Sequence, residues 1–316
     1  MVAAQPSQPS QASEPPPSSS PAEPGPLAGI RVVSIAVNVP GPWVAARLVA
    51  LGAAVTKVEP PAGDPLELMA PGWYAQLAAG QDRVRIDLKD SDGWTRLDTL
   101  LSTADLFVTS HRPSALGRLA LAYQQVHERH PRLVYLAIVG HAGAGAEIAG
   151  HDLTYQAHAG ILRPPGLPSV LISDLAGAER ATAAALAGVI GRDRTGMGGY
   201  LEVALADAAE AFAAPLRSGL TAPGALLGGG LPAYGLYATA DGWIALAALE
   251  PHFTERADAA LQDLDPGHRR GLIGDRRELA NIFAQRTTAD WEGWAADRDI
   301  PLVALRPPDE TGATGP

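Results

Sequence analysis

Cysteine is absent from the 316 residues. That excludes disulfides, thiolate metal sites and a cysteine nucleophile. Aromatic side chains make up only 5% of the chain although hydrophobic residues reach 47%, so the core is expected to rest on small aliphatic side chains and closely packed helices. Positive charge is in deficit, with Lys+Arg at 24 against Asp+Glu at 34 and a net charge of −10. Such a balance argues against a general nucleic-acid surface, while leaving room for an anionic ligand in a local basic patch. No apolar run is long enough to span a bilayer, and the N-terminus has no basic stretch leading into an apolar one, the mark of a secretory signal. A soluble cytoplasmic protein is the expectation. HExxH, GxSxG and GxGxxG are all missing, which argues against a zincin, a hydrolase elbow and a nicotinamide fingerprint.

What is present begins with a Pro-, Ser-, Gln- and Ala-rich tail over residues 1–25. It holds too little apolar surface to offset the entropy of ordering and is expected to be disordered. From there, strands and helices alternate. Arg31–Ala36 reads as a strand, Pro40-Gly41-Pro42 as a turn, Trp43–Leu51 as a helix and Ala54–Val58 as a second strand. Arg83–Leu88, Asp105–Thr109 and Leu133–Val139 read as further strands, with helices over Asp90–Thr103 and Leu116–His130 between them. This alternation predicts an α/β fold, an open doubly wound parallel sheet. Gly199–Val203 adds a strand and Ala204–Leu216 a helix. A Gly/Pro-rich stretch at 221–232 reads as a linker. Beyond it, Tyr234–Ala248 reads as a hairpin turning at Asp241-Gly242, followed by helices and a short final strand. A second, smaller α+β domain is therefore expected over 233–305, with a polar tail at 306–316.

The chemistry concentrates between Gly150 and Ile190. An apolar run, Val170 to Ile172, reads as a buried strand opening at Ser173-Asp174 into an Ala-rich helix. A carboxylate at such a junction sits where open α/β sheets bind ligands, beside helix amides that can stabilise an oxyanion. Asp is equally a common helix N-cap, so Asp174 by itself leaves both readings open. His151 has the side chain best suited to proton transfer near neutrality, although a lone His is more often structural. Asp152 reads as a cap for the helix starting at Leu153. Glu250 follows a strand and precedes Pro251; it could orient a histidine or simply face water. Arg112, after a strand, could meet a phosphate or be solvated. His111, His127, His130 and His141 carry weaker signals.

Several blocks together resemble the class III CoA-transferase (CaiB/BaiF) family. They include PLAGIRVVSIA, GPWVAARLVALGAAVTKVEPPAGDP, RIDLKDSDG, ADLFVTSHRPSALGRLAL, AGHDLTYQAHAGIL, the SDLAGAERATAAALAGVIGRD block and YGLYATADGWIALAALEPHF, in family order from about Pro26 to Leu305. The GHD-x-x-Y block, the Asp before the central helix and the Glu-Pro segment make the chain most similar to the family's α-methylacyl-CoA racemases.

The resemblance implies a Rossmann-like CoA-binding domain over 26–220 and a racemase or epimerase of 2-methylacyl-CoA thioesters, in lipid metabolism. In it, Asp174 and His151 would exchange a C2 proton through an enolate and Glu250 would pair with His151. Amides at the helix start behind Asp174 would stabilise the enolate oxygen. Lys89 and Arg112 would lie near the CoA nucleotide and Tyr155 near the thioester. It implies no metal and no cofactor apart from CoA as the substrate's handle, and an interlocked homodimer. Two alternatives accompany it: a CoA-transferase working through an Asp174 acyl anhydride, and an inactive relative. The sequence departs from the family pattern at Pro60-Pro61 after Glu59, at AAGQD (Ala78–Asp82), at HAGAGAE (His141–Glu147) and in a short connection between His151 and Asp174. The chain also stops soon after IPLVALRPPDE, where family members carry a segment that helps to interlock the dimer; this sets an expectation of a weakened dimer.

Overall fold

The computed structural model of the protein describes residues 24–264 and 275–306. The expected N-terminal tail and C-terminal end fall almost wholly outside them. The described residues divide into two compact units, one ending at Ala209 and the other starting at Glu210.

The first unit holds six strands: β1 (Arg31–Ser34), β2 (Ala54–Glu59), β3 (Asp82–Arg85), β4 (Leu106–Thr109), β5 (Val134–Val139) and β6 (Tyr200–Ala204). They form one sheet in the order β3-β2-β1-β4-β5-β6, and every pairing is parallel. Helices connect them: α1 (Pro40–Ala50), α2 (Pro65–Met69), α3 (Pro71–Leu77), α4 (Ser91–Ser102), α5 (Pro113–Arg118), α6 (Tyr123–Arg129), α7 (Asp152–Ala159), α8 (Ile172–Thr195) and α9 (Leu205–Phe212). This is the doubly wound arrangement expected. β4 and β5 are buried along their whole length, because helices cover both faces of the sheet; an unbroken apolar run is the sequence consequence. The strand order reverses between β1 and β4, which opens a crevice at their carboxyl ends.

Three local expectations are corrected. Pro40-Gly41-Pro42 is the first turn of α1, not a turn before it. Proline fits there because the first helical N–H groups need no intrahelical partner, and Gly41 is required because a Cβ would lie 2.5 Å from the Ala36 backbone. The helix expected over Leu116–His130 is two, α5 and α6, broken where Ala120 takes a φ of +56°. Val170–Ile172 is no strand: Val170 is 54% exposed, and Ile172 already belongs to α8. A three-residue apolar run carries no periodicity to separate strand from helix start.

The second unit contains α10 (Ala214–Arg217), β7 (Tyr234–Ala238), β8 (Trp243–Ala247), α11 (Pro251–Leu264), α12 (Arg276–Phe283), α13 (Thr288–Ala296) and β9 (Leu302–Ala304). Its sheet runs β7-β8-β9, antiparallel throughout. The β7–β8 hairpin turns at Asp241-Gly242, where the Thr239 N–H donates to the Gly242 carbonyl at 2.9 Å. Tyr237, Ile244, Leu246, Leu279, Phe283 and Trp291 pack the core between sheet and helices. The Gly/Pro-rich 221–232 stretch includes one wide helical turn, Leu226–Gly230, with Gly229 at a φ of +103°. The break between the units comes earlier, inside α9.

Candidate active site

At the crevice, the loops after β1, β4 and β5 enclose a cavity of about 240 Å³, lined among others by Asn38, His111, Arg112, Gly140, His151, Tyr155 and Asp174. The β1 loop is fixed from two sides. The Val37 N–H donates to Ser110 Oγ at 2.9 Å. Asn38, in the left-handed region at a φ of +63°, donates its N–H to Asp64 Oδ1 at 3.1 Å. Asp64 is fully buried and paired at 2.8 Å with the Lys57 ammonium, which is itself 1% exposed. Lys57 also donates to the Ala36 carbonyl. Burial pulls the Lys57 ammonium down from its ordinary value, against the opposing pull of Asp64.

α7 positions two of the expected residues. His151 is its N-cap and is exposed to the cavity side of the helix start. Its N–H donates to Thr154 Oγ1 at 3.0 Å, which anchors the first turn. One turn on, Tyr155 is 3% exposed. A Cβ added to either Gly140 or Gly150 would run into the Tyr155 ring, so the glycine of the GHD block is there to admit the tyrosine. Burial, then the Asp174 charge, raise the Tyr155 phenol above its ordinary value. It therefore stays a protonated hydroxyl at neutral pH.

Asp174 is the third residue of α8. The residue at the N-cap, Leu171, has no side-chain oxygen to cap the helix. Asp152 supplies one from α7: its Oδ1 accepts the Ser173 N–H at 2.8 Å and the Asp174 N–H at 3.1 Å. Its Oδ2 accepts from Gln156 Nε2 at 2.6 Å, and that same nitrogen donates to the Val170 carbonyl at 3.1 Å. Two expectations change. Asp152 caps α8 rather than its own helix, and the α8 amides expected to meet an enolate oxygen are already donated to Asp152. The Asp174 carboxyl is pushed up to about 7, first by burial and second by the Asp152 charge beside it.

Four expected residues, His151, Tyr155, Asp174 and Arg112, thus meet at one cavity. Lys89 lines an adjoining hollow with Leu88 and Glu59, and His111 is shared by both hollows. Glu250 belongs to the second unit. It is exposed, and its carbonyl accepts the Phe253 and Thr254 N–H groups at the start of α11. Sequence reasoning undervalued His111. Burial and the Lys57 charge lower its imidazole, so it is neutral at pH 7; its place directly after β4 was the available signal. Among the described residues, no group of three or more His, Asp or Glu side chains could hold a metal ion, and no helix is long and apolar enough to cross a membrane.

The doubly wound sheet holds a carboxyl and an imidazole in its crevice, and comparison with known proteins identifies the family. Residues 27–314 match CoA-transferase family III, and the chain belongs to that family. It is similar to the succinate–glutarate CoA-transferase of Agrobacterium fabrum, 28% identical over 86% of this chain and 70% of that protein. It is as similar to the α-methylacyl-CoA racemase of Homo sapiens, 29% identical over 84% of this chain and 74% of that one. Among solved structures, a hypothetical protein of Mycobacterium tuberculosis, Rv3272, superposes with a TM-score of 0.76 at 25% identity, covering 92% of this chain and 86% of that one.

Proposed function

We propose that the protein epimerises 2-methylacyl-CoA thioesters by moving a proton at C2. The observation that carries this reading is the pairing, at one cavity, of His151 with an Asp174 carboxyl pushed up to about 7. Proton transfer is most efficient when the acid and base titrate near the working pH. The thioester acidifies the C2 proton; the Asp174 carboxylate takes it from one face, leaving an enolate. The His151 imidazolium returns a proton to the other face, and the reverse protonation pattern serves the reverse direction. We assign the enolate oxygen to the first turn of α7, which starts at the cavity and presents its leading amides and the positive end of its dipole there. CoA is the handle of the substrate. Its nucleotide is assigned to the hollow lined by Lys89, with Arg112 at the mouth of the reacting cavity. A homodimer in the cytoplasm completes the reading.

The test is deuterium incorporation at C2 of a 2-methylacyl-CoA in heavy water, with a chiral assay in parallel. Exchange with loss of stereochemical purity is the expected result, with the loss of purity abolished in Asp174→Asn; a folded protein that binds CoA but does not exchange overturns it. The similarity to the Agrobacterium CoA-transferase favours a second reading. In that reaction the Asp174 carboxylate attacks the thioester carbonyl and expels CoA thiolate, giving a mixed anhydride; CoA thiolate opens it at the Asp174 carbonyl, releasing the donor carboxylate and leaving an Asp174 CoA thioester, and the acceptor carboxylate repeats the two steps in reverse, leaving as its own CoA thioester and freeing the Asp174 carboxylate. A hydroxylamine-sensitive mass adduct on Asp174, with His151→Ala nearly without effect, would select it.

A further inference from the structure

We infer that Asp152 is the positioning residue of the Asp174 carboxyl: it holds the start of α8 in place from α7 and sets a second negative charge against the group that titrates. The catalytic consequence rests on the proton-transfer reading above; the positioning itself does not.

The geometry is specific. α8 begins with a residue that cannot cap it, and the oxygen that takes its second and third amides comes from Asp152, far back along the chain. The Ser173 hydroxyl adds a contact to the Asp152 carbonyl at 3.4 Å. Gln156 then ties the other carboxylate oxygen to the Val170 carbonyl just before the helix. Asp152 is 4% exposed, Gln156 3% and Ser173 0%, so the clamp is shielded from water. All the donors to the Asp152 carboxylate are neutral amides. Helix amides stabilise an anion, but they carry no net charge to neutralise it as a paired cation would.

The ionisable groups facing Asp174 are few. From α7 and its start come Asp152, His151 and Tyr155; from the loop after β4 come His111 and Arg112. α1, the other helix packed on α8, places Arg47 against Glu179 further along, at 3.0 Å. A like charge beside a carboxyl makes its ionised form costlier, and the Asp152 charge follows burial as a cause of the raised value at Asp174. A single side chain therefore performs two tasks that usually fall to different residues: it caps the helix that carries the acid, and it biases the protonation of that acid.

Asp152→Asn separates the tasks. The asparagine carbonyl oxygen can still accept the Ser173 and Asp174 amides, while the charge is gone. The experiment is a carbon-13 carboxyl titration of Asp174 by NMR in the wild-type protein and in Asp152→Asn, with the thermal midpoint as a control of folding. The Asp174 midpoint should fall by about one pH unit, and the acidic limb of the C2-exchange profile should move down with it. Asp152→Glu, which keeps the charge, should leave the Asp174 midpoint raised. A folded Asp152→Asn with an unmoved midpoint overturns the inference, as does a midpoint that moves without the exchange limb following it. If Asp152→Asn does not fold, an Asp174 midpoint in the ordinary carboxylate range in Asp152→Glu overturns it. A midpoint that moves as expected in a protein showing no wild-type exchange removes the proposed reaction and leaves the positioning intact.

Discussion

Two buried aspartates of the first unit show how partners decide what a carboxylate is for. Asp64 is fully buried, and its oxygens are taken by the Lys57 ammonium and by the Asn38 and Leu66 amides. Asp174 is partly buried, and its charged neighbour is another carboxylate. The first arrangement pins the β1–α1 loop by cancelling charge inside the protein. The second leaves the charge uncancelled, so protonation becomes the cheaper response near neutral pH. One carboxyl anchors a loop; the other is pushed up to about 7 by burial and a like charge.

The comparison can be broken from either end. The largest effect is expected at Asp174: Asp174→Asn should lower C2 exchange of the enantiomer that Asp174 deprotonates by about 10²–10⁴-fold, the usual contribution of a general base, with the fold retained by circular dichroism. Lys57→Met acts on the loop anchor instead. It strands the Asp64 charge and should cost about 3–5 kcal/mol of stability, read from urea unfolding. His151→Ala should remove epimerisation in the chiral assay while C2 exchange of one enantiomer survives, because Asp174 still serves its own face. The pH dependence of stability sharpens the contrast further. The Asp174 carboxyl is pushed up to about 7 in the folded protein, so between the ordinary carboxylate value and pH 7 the folded state binds the extra proton. Stability attributable to this group falls as pH rises through that window. Wild-type protein and Asp174→Asn should melt alike near pH 4, and the variant should melt higher above pH 7. The smallest effect is steric: Gly150→Ala pushes a methyl into the Tyr155 ring and should cost about 1–3 kcal/mol, seen as a lower thermal midpoint.

The parallel sheet was legible because each strand carries its own signal. β5 is an apolar run bounded by polar residues, and α4 has acidic residues at its start and a periodic apolar face. His151 and Asp174 stood out in the sequence by residue type, and both line one cavity. The Asp152 cap was not legible, because its acceptor and donors are separated by a Pro-broken stretch with no periodicity, and an aspartate at a helix start normally caps that same helix. The Lys57–Asp64 pair was hidden for a similar reason. Lys57 sits inside an otherwise apolar strand, and nothing local says whether its ammonium escapes to water or meets a carboxylate. The mistaken strand at Val170–Ile172 came from reading hydrophobicity without context: those side chains cover no sheet, and Val170 and Leu171 face outward.

The crossover from β5 to β6 has an evolutionary side. His151, Asp152, Tyr155, Gln156 and Asp174 all lie on this one contiguous stretch, between Val139 and Tyr200, whereas His111 and Arg112 enter from the loop after β4. The candidate acid and imidazole therefore lie on one stretch of the chain, while part of the wall they face comes from another. A recombination event bounded by the ends of those two strands would carry the acid, the imidazole and their clamp together into a new framework. Because β5 and β6 are adjacent and pair in parallel, the recipient's sheet would keep its order.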